Sequence, residues 1–177
     1  MKNKFASKTW ADSRLKVKDS RISGNGIFTN APIKEGELLM VFGGLVVHRK
    51  DLDESKYRLQ TAFPIEIDTF IVLPTSDTSD TVDEYLNHSC DPSAWLTDEV
   101  TVVARRDIPA ENEITLDVAT WDMDTEWLYS DDGICYCGQP MCRKKLSPHD
   151  YLNPELQAKY AGHFAPFIQR RIDNLMK

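Results

Sequence analysis

Three cysteines fall within eight residues, Cys135, Cys137 and Cys142, spaced Cys-x-Cys-x4-Cys with Gly138 and Pro140 turning the chain between them. Thiolates held that closely are suited to a tetrahedral zinc ion, which takes four ligands, and the only other cysteine is Cys90. A buried cysteine can also serve as a small apolar residue. Random placement, however, rarely makes this spacing beside Gly and Pro, and clustering in an intracellular chain favours metal over disulfides. The expected ligand set is therefore Cys90, Cys135, Cys137 and Cys142. Four protein ligands close the site, so the metal would be structural: it would tie the Cys135–Cys142 loop to Cys90 and lay a lid over Asn87 and His88.

These residues must be held by a fold, and the chain is of a size for one domain. It has 177 residues, 41% apolar, 28% charged and 10% aromatic, a globular composition that excludes collagen-like structure and wholesale disorder. Lys and Arg number 21 against 28 Asp and Glu, a net charge of -7. That balance argues against a general phosphate-backbone binder, so no direct nucleic-acid binding is expected, and it suits a basic partner. The start MKNKFASKTW has charge but no apolar signal segment, and no run approaches the ~20 apolar residues of a membrane span. The expected setting is intracellular, cytoplasmic, or nuclear in a eukaryote, with no membrane partner.

From Leu15 to Leu116, short apolar runs alternate with turn residues and show no long helical period, which predicts a mainly β fold. Strands are expected at Leu15–Val17, Gly26–Thr29, Glu37–Phe42, Leu45–His48, Tyr57–Gln60, Ile65–Leu73 bent at Asp68-Thr69, Ala94–Leu96, Val100–Ala104 and Ile114–Leu116, with a helical turn over Asp80–Leu86. After Cys142 the texture changes. Asn153-Pro154 reads as an N-cap with Pro at the first helical position and Gly162 as a stop, and a second helix is expected after Pro166.

Taken singly, the remaining motifs are weak: Gly24-x-Gly26 is most often a turn, His88 could be a hydrogen-bonded core histidine, and Tyr57 an edge-strand aromatic. In order they are specific. Ser23-Gly24-Asn25-Gly26-Ile27-Phe28, Tyr85-Leu86-Asn87-His88-Ser89-Cys90-Asp91-Pro92, Glu113-Ile114-Thr115-Leu116-Asp117 and the Cys135-x-Cys137-Gly138 to Cys142-Arg143 tail together resemble a SET-domain protein-lysine methyltransferase with a post-SET zinc loop, over residues 13 to 146. The resemblance implies a SET fold of several small curved sheets with a knot-like crossing at the active site, and S-adenosylmethionine as methyl donor. It divides the chain into an N-terminal extension (1–12), a SET domain (13–120), the zinc loop (131–146) and a helical cap (147–177). It also assigns roles: Gly24, Asn25 and Gly26 let the backbone approach the cofactor, Asn87 and His88 hold it, Tyr85 flanks it, and Tyr57 lines the lysine channel, with Tyr57, Asn87 and His88 as the catalytic set.

The partner implied is a lysine-containing, basic protein or peptide. Its amine must be neutral to attack, and a narrow apolar channel beside a sulfonium would promote loss of its proton. Asp77, Asp80, Asp83 and Glu84 could steer such a peptide or simply form a solvated loop. The match departs from the family at three positions. Val118 follows Asp117 where the family has a tyrosine whose hydroxyl sits at the transfer site, leaving Tyr57 or Tyr129 to substitute; Glu84 replaces an arginine and Ser93 an asparagine. Val118 allows an enzyme with a rearranged site or a catalytically impaired module that binds cofactor or a basic peptide. The C-terminal segment would serve as extra core or cover part of the groove.

Overall fold

A computed structural model describes residues 4–122 and 133–175. Among the described residues, eleven short strands form three small sheets, and the two α-helices lie toward the C-terminus. The strands are β1 (Trp10–Ala11), β2 (Leu15–Asp19), β3 (Asn25–Thr29), β4 (Leu38–Val41), β5 (Leu45–His48), β6 (Tyr57–Glu66), β7 (Thr69–Pro74), β8 (Asn87–His88), β9 (Ala94–Leu96), β10 (Thr101–Ala104) and β11 (Glu113–Leu116). Their orders are β1-β4-β10-β9, β2-β3-β11-β8 and β5-β7-β6. The expected mainly β fold with C-terminal helices is what forms.

Two elements differ from expectation. Tyr57–Gln60 is not a separate strand; it opens the ten-residue β6, whose hairpin with β7 turns at Ile67-Asp68. The register of that pair shifts between Arg58 and Phe63. Tyr57 and Phe63 are six apart, so unbroken alternation would put both on one face, but the shift divides them. Tyr57 packs with Val47, Ala62, Phe70 and Val72 in a small second core, whereas Phe63 enters the main one. The helical turn expected at Asp80–Leu86 is a single 3-10 turn, Asp83–Tyr85.

The pairing that matters most for function is the parallel one. β8 lies beside β11 with Asn87 opposite Thr115 and His88 opposite Leu116, so two segments distant in sequence share one edge. The post-SET loop closes through a bridge between Ile134 and Lys145.

At the C-terminus, the Asn153 side chain caps α1 (Pro154–Lys159) by accepting from Glu155 N–H, and Gly162 takes a positive φ of 81°. α2 (Pro166–Leu175) buries Phe167, Ile168 and Ile172. Together with Tyr151, Leu156, Tyr160 and Phe164 these join the main core, so this segment is an extension of the core.

Candidate active site and metal centre

Asn87 is a fastener before it is anything else. Its amide nitrogen donates to the Ser23 carbonyl at 3.2 Å, the Asn25 carbonyl at 3.0 Å and Glu113 Oε1 at 2.8 Å. Ser20 Oγ donates to the same carboxylate at 2.8 Å, so the 20–25 turn is pinned to β11 and β8 from both ends. The two glycines serve different ends here. A Cβ on Gly26 would stand 2.1 Å from Glu113 Oε1 and 3.0 Å from Asn87 Nδ2, so its bareness makes room for this clamp. Gly24, at φ 45°, faces open space and supplies the left-handed turn.

The thiols converge. Cys90 Sγ and Cys135 Sγ are 3.8 Å apart, and the sulfurs of Cys90, Cys135 and Cys137 lie with a ring nitrogen of His88 within 4.8 Å of one another. Zinc–sulfur bonds of about 2.3 Å at tetrahedral angles require sulfurs ~3.8 Å apart, so the spacing fits the ion. Cys142 Sγ approaches the Cys135 carbonyl at 3.7 Å. Backbone N–H groups also point at sulfur, Arg143 to Cys90 at 3.3 Å and Lys144 to Cys142 at 3.4 Å. Burial pushes the Cys90 and Cys135 thiols up. At Cys137 burial acts in the same sense, but hydrogen bonds from the backbone N–H groups of Cys90 and Gln139 outweigh it and bring the thiol down. A bound cation would draw the remaining protons off.

His88 beside the sulfurs is a feature that no sequence motif assigned to the metal. Its hydrogen bonds define its part. Nδ1 accepts the Val118 backbone N–H at 3.2 Å, so in the neutral ring the proton sits on Nε2, which faces Cys90 Sγ at 3.3 Å. In that tautomer the nitrogen donates to sulfur; the four side chains whose ligand atoms lie within 4.8 Å of one another are His88, Cys90, Cys135 and Cys137, and the expected ligand Cys142 is not among them. Burial depresses the imidazole to about 4, against the opposing pull of Asp117, consistent with a neutral ring.

Behind His88 lies a buried polar network. Asp117, 1% exposed, receives both terminal nitrogens of Arg143 at 2.7 Å and the Tyr160 hydroxyl at 2.9 Å. Burial alone would raise the Asp117 carboxyl; the Arg143 hydrogen bonds reverse that and hold it below the usual carboxylate range. Arg143 also reaches Asp150 at 2.9 Å. The end of β11, the cysteine-bearing loop and the C-terminal segment therefore meet on one carboxylate. Tyr160 had no motif to announce it.

Two cavities stand back to back. The larger, about 250 Å³, is walled by Ser23, Asn87, His88, Val118, Ile134 and Tyr136 among others. The smaller, about 110 Å³, is walled by Phe42, Phe63, Asp83 and Glu84 among others, and Leu86 and Trp121 line both. Phe42 and Phe63 stack at 3.8 Å between centroids, and Phe63 and Trp121 at 5.1 Å.

Asn87, His88 and the edge of the Gly24 turn are thus brought together at the larger cavity. Tyr85 and Asn25 do not line it; Leu86 and Ser23 do, and Asn25 contributes its carbonyl to the Asn87 clamp. Tyr57 lines neither cavity, and the aromatic that β6 places at the site is Phe63. Tyr129 lies outside the described residues. Val118 presents a buried apolar side chain to the larger cavity.

The other departures are accounted for locally. Glu84 is ion-paired with Arg58 and accepts from Thr81 Oγ1 at 2.9 Å. Ser93 exchanges hydrogen bonds with β11, donating to the Glu113 carbonyl at 3.0 Å and accepting from Thr115 N–H at 3.0 Å. Of the acidic run, Asp77 pairs with Lys8 and Ser79, Asp80 is exposed, and Asp83 faces the aromatic cavity.

A parallel crossing thus sets an Asn-His pair beside a cysteine-bearing loop, with a second cavity adjoining it. The family model described as the SET domain matches residues 24–117, just over half of the chain, and the chain belongs to that family. Among its relatives, a histone-lysine N-methyltransferase of Arabidopsis thaliana, ATX2, is 25% identical over 143 residues, covering 73% of this chain and 13% of that protein. Another from the same plant, ASHH3, is 28% identical over 145 residues, covering 75% and 38%. A histone-lysine N-methyltransferase described as H3 lysine-36 specific, from Candida albicans, is 26% identical over 151 residues, covering 75% and 16%. The chain therefore spans well under half the length of these relatives. No helix among the described residues is long and apolar enough to cross a membrane.

Proposed function

We propose that this chain is an S-adenosylmethionine-dependent protein-lysine N-methyltransferase. The observation that carries this reading is the pair of adjoining cavities divided by Leu86 and Trp121, one walled by the Asn-His motif and the post-SET loop, the other by aromatic rings. S-adenosylmethionine, when bound, supplies a methyl group activated on a sulfonium sulfur. The groups that would hold it line the larger cavity: Ser23 on the Gly24 turn, Asn87, His88 and Tyr136. Zinc would be held by Cys90, Cys135, Cys137 and Cys142, with the His88 Nε2–H donating to the Cys90 sulfur. In this reading the substrate lysine enters through the aromatic cavity, where the stacked rings fix its approach and Asp83 and Glu84 attract its charge. Phe63 takes the channel place that the family resemblance suggested for Tyr57. The relatives' names make a histone tail the first substrate to try, a basic partner for a chain of net charge -7; a histone substrate would place the protein in a nucleus.

Val118 supports a second reading, a module that binds cofactor or a basic peptide without turnover, because the side chain next to the His88 acceptor has no polar atom. One experiment separates the two. Binding of S-adenosylmethionine to the zinc-loaded chain is measured by calorimetry beside Val118→Tyr, and methyl transfer to histone-tail and other lysine peptides is followed by mass spectrometry. The enzyme reading expects binding and turnover in the parent. Binding without turnover, restored by Val118→Tyr, would establish the module, and no binding of S-adenosylmethionine in a folded, zinc-loaded protein would remove the enzyme reading and leave only a module for a basic peptide.

A further inference from the structure

Residues 4–11 cross the molecule as a strap. Trp10 and Ala11 pair with Val41 and Met40 of β4, and the Ala6 carbonyl accepts from Gly44 N–H at 2.8 Å. A Cβ on Gly43 would stand 2.2 Å from the Lys8 carbonyl oxygen, so the bareness of Gly43 is what admits the strap. On its other side the strap meets the 77–83 segment. Lys8 Nζ pairs with Asp77 at 3.1 Å, and Thr9 Oγ1 donates to Asp83 Oδ2. The same Thr9 oxygen accepts from Gly43 N–H at 3.2 Å. One hydroxyl thus joins two stretches, distant in sequence, that both reach the aromatic cavity: Phe42, next to Gly43, on one and Asp83 with Glu84 on the other.

The two acidic residues of that cavity are held differently. Glu84 is fixed by Arg58 and by Thr81 Oγ1. Among the described residues, Thr9 is the only hydrogen-bond partner of the Asp83 carboxylate. Without it, the Asp83 side chain would be free to change rotamer, and a charged partner would have to order it on binding. We propose that Thr9 is a positioning residue for the substrate: its two hydrogen bonds hold Asp83 against the stretch that carries Phe42, so that the carboxylate is presented to an incoming cation in one orientation. The strap lies outside residues 24–117, which match the family model, and the role belongs to this chain's own N-terminal segment. The assignment deepens the methyltransferase reading and rests on it for the identity of the cation as a lysine side chain.

The test uses the zinc-loaded full chain beside Thr9→Val, which keeps the shape and removes the hydroxyl, and Thr9→Ser, which restores it. Calorimetry measures binding of S-adenosylmethionine and of a histone H3-tail peptide, steady-state methyl transfer gives KM and kcat, and hydrogen exchange follows the Tyr85 amide, which donates to the Val82 carbonyl at 3.1 Å. In Thr9→Val the peptide Kd and KM are expected to rise about fivefold or more and Tyr85 exchange to quicken, with kcat and S-adenosylmethionine affinity as in the parent; Thr9→Ser should return all of them. Unchanged peptide affinity or unchanged Tyr85 exchange in Thr9→Val overturns the proposal, as does a fall in kcat and cofactor affinity together with KM, which marks a general loss of structure. Tighter peptide binding overturns it in the opposite sense, the strap then obstructing the cavity. A parent that binds no peptide removes the strap's part in recognition, whereas a parent that binds peptide but no S-adenosylmethionine overturns the methyltransferase reading and leaves the peptide comparison to decide the strap.

Discussion

The carboxylates of Asp117 and Asp83 are treated in contrary ways. Asp117 is saturated: two Arg143 nitrogens, the Tyr160 hydroxyl and the Ala119 backbone N–H all donate to it. Asp83 keeps one buried oxygen without a partner, as Trp121 keeps its N–H. A saturated buried charge holds three parts of the chain in one arrangement, because moving any of them strands the others in a low-dielectric interior. Unspent polar atoms cost stability and hold nothing together. The one region binds distant parts of the chain together; the other leaves polar atoms unpaired.

That contrast can be broken by experiment. The largest effect is expected from the metal. Stripping the zinc-loaded chain with a chelator should free the loop that carries Arg143 and lower the thermal midpoint by on the order of 10 °C, with one zinc per chain released in a metal assay. An unchanged midpoint would mean that the thiols stabilise the loop without an ion. Next comes Arg143→Met, which leaves Asp117 buried with its charge uncompensated and should cost about 3–5 kcal/mol in a denaturant titration. Adding Asp117→Asn to that variant should restore part of the loss, since the stranded charge is gone; a double variant no better than the single one would show that the network is worth no more than its packing. The smallest effect is expected at the other carboxylate. Asp83→Asn removes no hydrogen bond from the unpartnered oxygen and should change stability by about 0.5 kcal/mol or less. A loss comparable to that of Arg143→Met would mean that both regions are structural.

Much of the first region was legible in the order of residues. Cys135, Cys137 and Cys142 sit on one loop, Asn153-Pro154 and Gly162 bracket a helix, and the Gly24 turn takes its positive φ; each follows from chemistry within a few residues of chain. Fold class, the cysteine cluster and the family needed nothing more. Tyr160 was hidden because its partner, Asp117, is forty-three residues away and pairing over that distance leaves no local mark.

The aromatic cavity was settled by tertiary structure. Phe42, Phe63, Asp83 and Trp121 come from four separate stretches, and their convergence depends on how the sheets are stacked. Tyr57 lies in the small second core, while Phe63, beyond a register shift inside β6, enters the main one; a one-residue slip in a strand moves side chains to the opposite face at almost no trace in composition. His88 is the same lesson at atomic scale. Its identity was plain from the motif, but whether it binds a metal or donates to a thiolate rests on which nitrogen carries the proton, and that is set by the Val118 N–H thirty residues on. Local chemistry travels with the chain; a cavity and a tautomer exist only once distant parts of it meet.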